Sequence, residues 1–247
     1  MKISCLILLL TIVSPLVQAQ NAKDIIIKAD EKMRGSSSYI EMKMTIIRPS
    51  WKREMTMKAW EKGPDYSLIL ITEPARDRGI SYLKIKKEMW NWQPSIDRVV
   101  KMPPSMMTQS WMGSDFTNDD FIRQSSVVND YTHKLLGSET VEKRDCHIIE
   151  LVPNENSSVV WGKVVLWIDK KEYLQMKAKF HDEDNQLVNT MLGKNVKNIG
   201  GRLLPSVMEI IPADEPGNKT VVEYISAEFN KKIADEVFSI QYMKRAQ

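Results

Sequence analysis

Three imidazoles occur in the 247 residues, at His133, His147 and His181, each in or beside a strand-like run. A structural or solvated ring is the expected role there, not a general base. Cys146 directly precedes His147, but neighbours along a strand point to opposite faces, so the pair does not form a thiolate–imidazole dyad. The sequence contains no Gly-x-Ser-x-Gly elbow, His-Glu-x-x-His pair, Walker A loop or dinucleotide glycine fingerprint. Asp182, Asp184 and Asn185 open like a calcium loop, but the required glycine and distal glutamate are missing, which leaves a solvated hairpin turn. Asp115, Asp119 and Asp120 suit the first turn of a short helix capped by Ser114 or Thr117, and this explains them with less than a shared metal would need. No catalysis, cofactor or metal is expected.

What the chain has in excess is soft apolar bulk. Fourteen of its fifteen methionines follow residue 1, and the stretch from Met89 to Met112 holds Met89, Met102, Met106, Met107 and Met112 with Trp90, Trp92 and Trp111. Flexible thioethers and broad aromatic faces make an adaptable apolar surface. Met42, Met44, Met55 and Met57 read equally as ordinary core or as pocket wall. The segment from 103 to 112 joins turn residues to apolar bulk and reads as a mobile flap over an apolar pocket, with buried core as the alternative. Arg76, Arg78 and Arg98 lie in or near charged loops. An arginine fork there could hold a phosphate or carboxylate at a pocket mouth, whereas a surface ion pair is the plainer reading.

The elements that would position these residues are mostly strands. Ala22, Ile25, Ile26, Ala29 and Met33 recur at helical spacing before Gly35, predicting one amphipathic helix over 21–33. Period-2 alternation or compact apolar runs then recur at 40–46, 55–59, 66–72, 80–85, 89–93, 98–102, 131–136, 147–152, 163–169, 173–180, 187–197, 203–211 and 220–229. Turn residues punctuate them at 62–64, 182–185, 199–201 and 215–218, and no helix separates most neighbours, so an antiparallel meander is expected. A helical or loop insertion over about 103–129 interrupts it once, and residues 234–238 read as a final turn laid on the sheet.

The N-terminus sets the compartment. Met1-Lys2, the apolar run to Val13 and Val17-Gln18-Ala19 before Gln20 read as a cleaved secretory signal over 1–19, leaving one domain over 20–247. No later run is long enough for a membrane-spanning helix. Lys and Arg number 35 against 32 Asp and Glu, too little excess for a nucleic-acid partner. With Cys5 in the signal, Cys146 has no disulfide partner within the mature chain.

Several of these words are similar to a known set. Pro74-Ala75-Arg76-Asp77-Arg78-Gly79, Met89-Trp90-Asn91-Trp92-Gln93-Pro94-Ser95 with Arg98, Ser110-Trp111-Met112-Gly113-Ser114-Asp115-Phe116 and Asp119-Asp120-Phe121 resemble the motif run of the outer-membrane lipoprotein-sorting family, relatives of the LolA and LolB carriers. The resemblance implies a mainly β (α+β) fold: an incomplete antiparallel β-barrel wrapped around the N-terminal helix and a short inserted helical lid. Its apolar cavity would receive acyl chains of lipoprotein or another lipid in the periplasm for transfer toward the outer membrane. It also implies, as an alternative, an accessory subunit of an RND- or ABC-type inner-membrane exporter. A lipid-modifying enzyme with an unrecognised site is a third reading. LolA-type carriers latch the lid with the arginine of a Lys-Arg-Pro. The segment that looks equivalent here reads Lys62-Gly63-Pro64, leaving Arg76, Arg78 or Arg98 as replacements.

Overall fold

The structure, a computed structural model, describes residues 15–122, 127–155, 157 and 159–246. Residues 1–14 of the expected export signal lie outside the described residues. Thirteen antiparallel strands form one sheet: β1 (Ser37–Arg48), β2 (Trp51–Lys62), β3 (Tyr66–Glu73), β4 (Ser81–Ile85), β5 (Glu88–Gln93), β6 (Arg98–Lys101), β7 (Tyr131–Val141), β8 (Arg144–Pro153), β9 (Lys163–Asp169), β10 (Gln175–His181), β11 (Leu187–Ile199), β12 (Arg202–Pro212) and β13 (Lys219–Phe229). The described helices are α1 (Pro15–Arg34), α2 (Asn118–Ile122) and α3 (Ile240–Arg245). None of them is long and apolar enough to cross a membrane.

The chain starts at the middle of the sheet and runs outward to β6 at one edge. It crosses through residues 102–130 to β7 at the other edge, then returns to β13, which pairs with β1. The edges β6 and β7 do not pair, so the sheet stays open. The expected meander and its single interruption are both present, and the interruption is the link between the two edges.

Alternation explains the inner face. Met42 pairs with Met57 and Met44 with Met55, so these side chains share one side of the sheet. Against the β7–β10 half of that side lies α1, burying Ala22, Ile25, Ile26 and Ala29 on Tyr131, Ile149, Leu151, Val164 and Leu166. The helix ends as its sequence dictates: Gly35 takes a left-handed φ of 68° and its N–H bonds to the Glu31 carbonyl at 2.9 Å. Arg202 donates to the last-turn carbonyls of Glu31 and Lys32 at 3.1 and 3.0 Å.

Alternation fails in β3, because both of its faces are covered. Ile69 and Ile71 face inward, while Leu68 packs outward with Leu83, Trp92, Val237, Phe238 and Met243. The C-terminal turn expected at 234–238 is present as a 3-10 turn and continues into α3, which the sequence reading did not anticipate. Ser239 caps α3 by accepting from the Tyr242 N–H at 3.1 Å, and Met243 is wholly buried.

The β11–β12 turn offers a direct test of the local geometry. Gly200 sits at φ +57°, and a Cβ there would meet the Ala227 carbonyl oxygen at 2.3 Å. Left-handed strain alone costs roughly 1–2 kcal/mol, and backbone cannot move aside cheaply. Gly200→Ala is expected to lower stability by about 2 kcal/mol or more, read as a lower urea midpoint with an unchanged slope.

Candidate functional site

Residues 103–122 of the segment joining the two sheet edges fold inward as a lid. Thr117 caps α2 reciprocally: its hydroxyl accepts from the Asp120 N–H at 3.1 Å, and the Asp120 carboxylate accepts from the Thr117 N–H at 2.9 Å. Asp120 also accepts from the Trp161 indole N–H at 2.5 Å, tying the lid to the β8–β9 connection, and burial raises its pKa. Asp115 takes no part in capping. Arg48 grips it with both guanidinium ends, at 2.9 and 3.1 Å, and the Thr220 hydroxyl donates to it at 2.7 Å. Asn189 bonds the Asp115 carbonyl at 3.2 Å. Nearby, Arg53 donates to the Met112 carbonyl at 3.0 Å and to Asp77 at 2.8 Å. Two arginines flanking the β1–β2 hairpin therefore clasp the lid.

The arginines expected as latch candidates lie elsewhere. Lys62-Gly63-Pro64 forms the β2–β3 turn at the far end of β2 from Arg53. Arg76 is exposed beside Asp77, Arg78 donates to the Thr72 carbonyl from an exposed loop, and Arg98 is exposed on edge strand β6. The signal that could have found the clasp is Arg48-Pro49, an Arg-Pro at a strand end, with Arg53 following on β2, where it pairs with Ile46.

Under the lid the inner face divides in two. In the half near the clasp, Met44, Met55, Met57, Met107, Trp111 and Phe116 pack together, and Trp111 stacks on Phe121 at 4.1 Å. Trp111 has no exposure and Met107 only 5 %. From residues 103–112, expected as a mobile flap, Met107 and Trp111 insert into this half as a plug, while 103–105 and 108–110 are exposed. Met106 and Met112 are partly buried against it. In the other half a cavity of about 200 Å³ remains between α1, the first three strands, β9–β13 and α2. Ile26, Ala29, Ile40, Met42, Ala59, Ile69, Leu166, Met191, Met208 and Val222 supply most of its wall, with Phe116 and Phe121 at the lid. Of the ten residues expected to line a pocket, only Met42 does so. Trp90 and Trp92 lie on the opposite side of the sheet, in the cluster that α3 covers, because residues of equal parity in β5 share a face and Met89 takes the inner one.

The cavity also has a polar end. Arg34 and Asp30 pair at 2.6 Å in the last turn of α1, and Glu61 accepts from the Ser38 hydroxyl at 3.1 Å. Gln175 and Tyr224 complete this part of the lining. The histidines lie outside the lining: His133 bonds the Val127 carbonyl at 2.7 Å, and burial lowers the pKa of all three. Cys146 is buried and its thiol is pushed up to about 11, chiefly by burial and then by Asp169, which removes thiolate reactivity near neutrality. Among the described residues no cluster of three or more His, Cys, Asp or Glu could hold a metal.

An open sheet folded over a helix, with an internal lid and an apolar hollow, defines a LolA-type half-barrel. Three crystal structures share it. A DUF1329 family protein from Desulfovibrio piger is 24 % identical and covers 92 % of this chain and 99 % of its own, with TM-score 0.83. A putative outer-membrane lipoprotein-sorting protein domain from Vibrio parahaemolyticus is 19 % identical over 92 % and 100 %, with TM-score 0.80. A LolA superfamily protein from Nitrosomonas europaea is 26 % identical over 90 % and 98 %, with TM-score 0.77. A family model whose description reads "Uncharacterized protein" matches residues 63–245, and the chain belongs to that family, with the fold of LolA-like lipoprotein-sorting proteins. No curated protein matches the sequence.

Proposed function

We propose that the protein is a non-enzymatic periplasmic carrier that holds the hydrocarbon chain of a lipoprotein or another lipid in the cavity beside α1 and passes it toward the outer membrane. The cavity itself carries the reading. A hollow of about 200 Å³ with a mostly apolar lining leaves that surface without packing partners, which costs stability. A fold has no reason of its own to keep such a void. Dry apolar cavities of about 150 Å³ already bind small hydrocarbon guests. Each buried methylene contributes about 0.8 kcal/mol, so an acyl chain of roughly fifteen carbons has on the order of 12 kcal/mol available before ordering costs.

Residues 1–19 act in this reading as the cleaved export signal and 20–247 as the single carrier domain. Met42 and the aliphatic residues around it form the acyl wall, and the Met107–Trp111–Phe116 plug closes the hollow from the lid side. Release follows opening of the Arg48 and Arg53 clasp at the acceptor, since no catalytic or nucleotide motif supplies another drive. Organic extraction of gently purified protein, followed by mass spectrometry, tests the proposal. A stoichiometric lipid is expected. Lipid-free protein that co-purifies with an RND- or ABC-type exporter and takes up no lipid would replace it with the accessory-subunit reading.

A further inference from the structure

The polar end of the cavity bears on what terminates the hydrocarbon. Going along the β1–β2 wall, the pairs Met42 with Met57, Ile40 with Ala59 and Ser38 with Glu61 run from apolar to polar as they approach the C-terminal turn of α1. There the lining carries the carboxylates of Asp30 and Glu61, the Gln175 amide and the Tyr224 phenol. Tyr224 is enclosed by the protein yet only half-buried by surface, because it faces the hollow. Burial and then the negative charge of Glu61 hold its phenol protonated. At the lid end Asp119 and Asp120 add two more carboxyls. Arg34 is the one cation among the described lining residues, and it is bonded to Asp30.

An anion-binding pocket is normally built the other way, with guanidinium forks or backbone amides aimed at the ligand. Here an incoming phosphate, sulfate or carboxylate would face the charge of Glu61, unpaired among the described residues, beside the Asp30–Arg34 pair, and like charges repel. A hydroxyl or ammonium would instead donate to those same oxygens. The three arginines that the sequence offered as head-group ligands, Arg76, Arg78 and Arg98, are outside the lining.

We propose that the cavity selects its guest by head group, accepting a hydrocarbon chain that ends in a hydrogen-bond donor, hydroxyl or amine, and rejecting one that ends in an anion. This rests on the carrier reading and narrows its cargo. The test uses the full mature chain loaded with an uncharged naphthyl fluorophore and displaced by twelve-carbon amphiphiles below their micelle concentrations. Lauroylglycerol and dodecylammonium are expected to displace the probe at concentrations at least tenfold lower than dodecyl sulfate or laurate, and Glu61→Gln is expected to narrow that gap by raising affinity for the two anions. Tyr224→Phe, which keeps the charge pattern, is expected to weaken lauroylglycerol while leaving the anions unchanged. Anions within threefold of the donors, or tighter, in the parent protein would overturn the head-group inference while leaving the carrier reading standing. Failure of the probe and of every amphiphile to bind would instead remove the carrier reading itself.

Discussion

Leucine at both Ala29 and Ala59 is expected to abolish hydrocarbon uptake without unfolding the protein. Ala29 enters the hollow from α1 and Ala59 from β2, so two leucines fill it from facing walls. Filling a void recovers part of its cost, and successful cavity filling typically adds about 0.5–2 kcal/mol. For a domain of this size each kcal/mol moves the melting temperature by roughly 2–4 °C. The double variant is therefore expected to melt at an equal or higher temperature and to bind a naphthyl probe at least tenfold more weakly. A drop in both stability and uptake would mean that the space is already occupied by side chains. This variant separates a binding hollow from space already filled by side chains, because the first keeps or gains stability as uptake is lost and the second loses stability.

The clasp gives the second large effect. The Arg48–Asp115 pair is mostly out of water, with side chains 14 % and 6 % exposed. Removing one partner of a buried pair leaves the other charge uncompensated, a loss of about 3–5 kcal/mol. Asp115 keeps its bond from Thr220 and Arg48 is partly wet, so Arg48→Ala is expected to cost about 2–3 kcal/mol. That corresponds to a fall of roughly 4–12 °C in melting temperature. Hydrogen exchange is expected to quicken first in residues 110–121, since Arg48 and Arg53 hold the Gly113 and Met112 carbonyls of their backbone. Arg48→Lys keeps the charge but loses the bidentate fork, and is expected to fall between the two. In a double-mutant cycle Asp115→Ala should recover much of the loss, because it removes the stranded carboxylate.

How far the sequence revealed this molecule depends on whether a local rule had a tertiary competitor. Strands with one wet face, β1 and β2 above all, declare themselves by alternation. The helix declares itself by the spacing of Ala22, Ile25, Ile26 and Ala29, and its end by Gly35. The site was harder. Methionine chemistry pointed to an adaptable apolar surface, but strand parity alone does not separate the inner face from an outer face that is also buried. Trp90 and Trp92 were assigned to the pocket for that reason, and the cover over them, α3, is too short to announce itself. The plug shows the same ambiguity: thioethers and indoles suit either a movable flap or a packed stopper, and no local pattern foretells that Trp111 is wholly buried. The Arg48 clasp depends on a contact 67 residues away in the chain. Arg48-Pro49 marks the arginine locally but not its partner.

The methionines provide the most direct test of the central claim, that the free space lies beside α1 and not in the half that Met107 and Trp111 fill. With methyl-labelled methionine and a spin-labelled acyl chain added in solution, the account predicts strong relaxation of Met33, Met42, Met191 and Met208, which line the hollow. Met55 and Met107, in the half that Trp111 fills, should be affected less than Met191 and Met208 on the far wall. Relaxation centred on Met55, Met57 and Met107, or absent from every methionine, would contradict it.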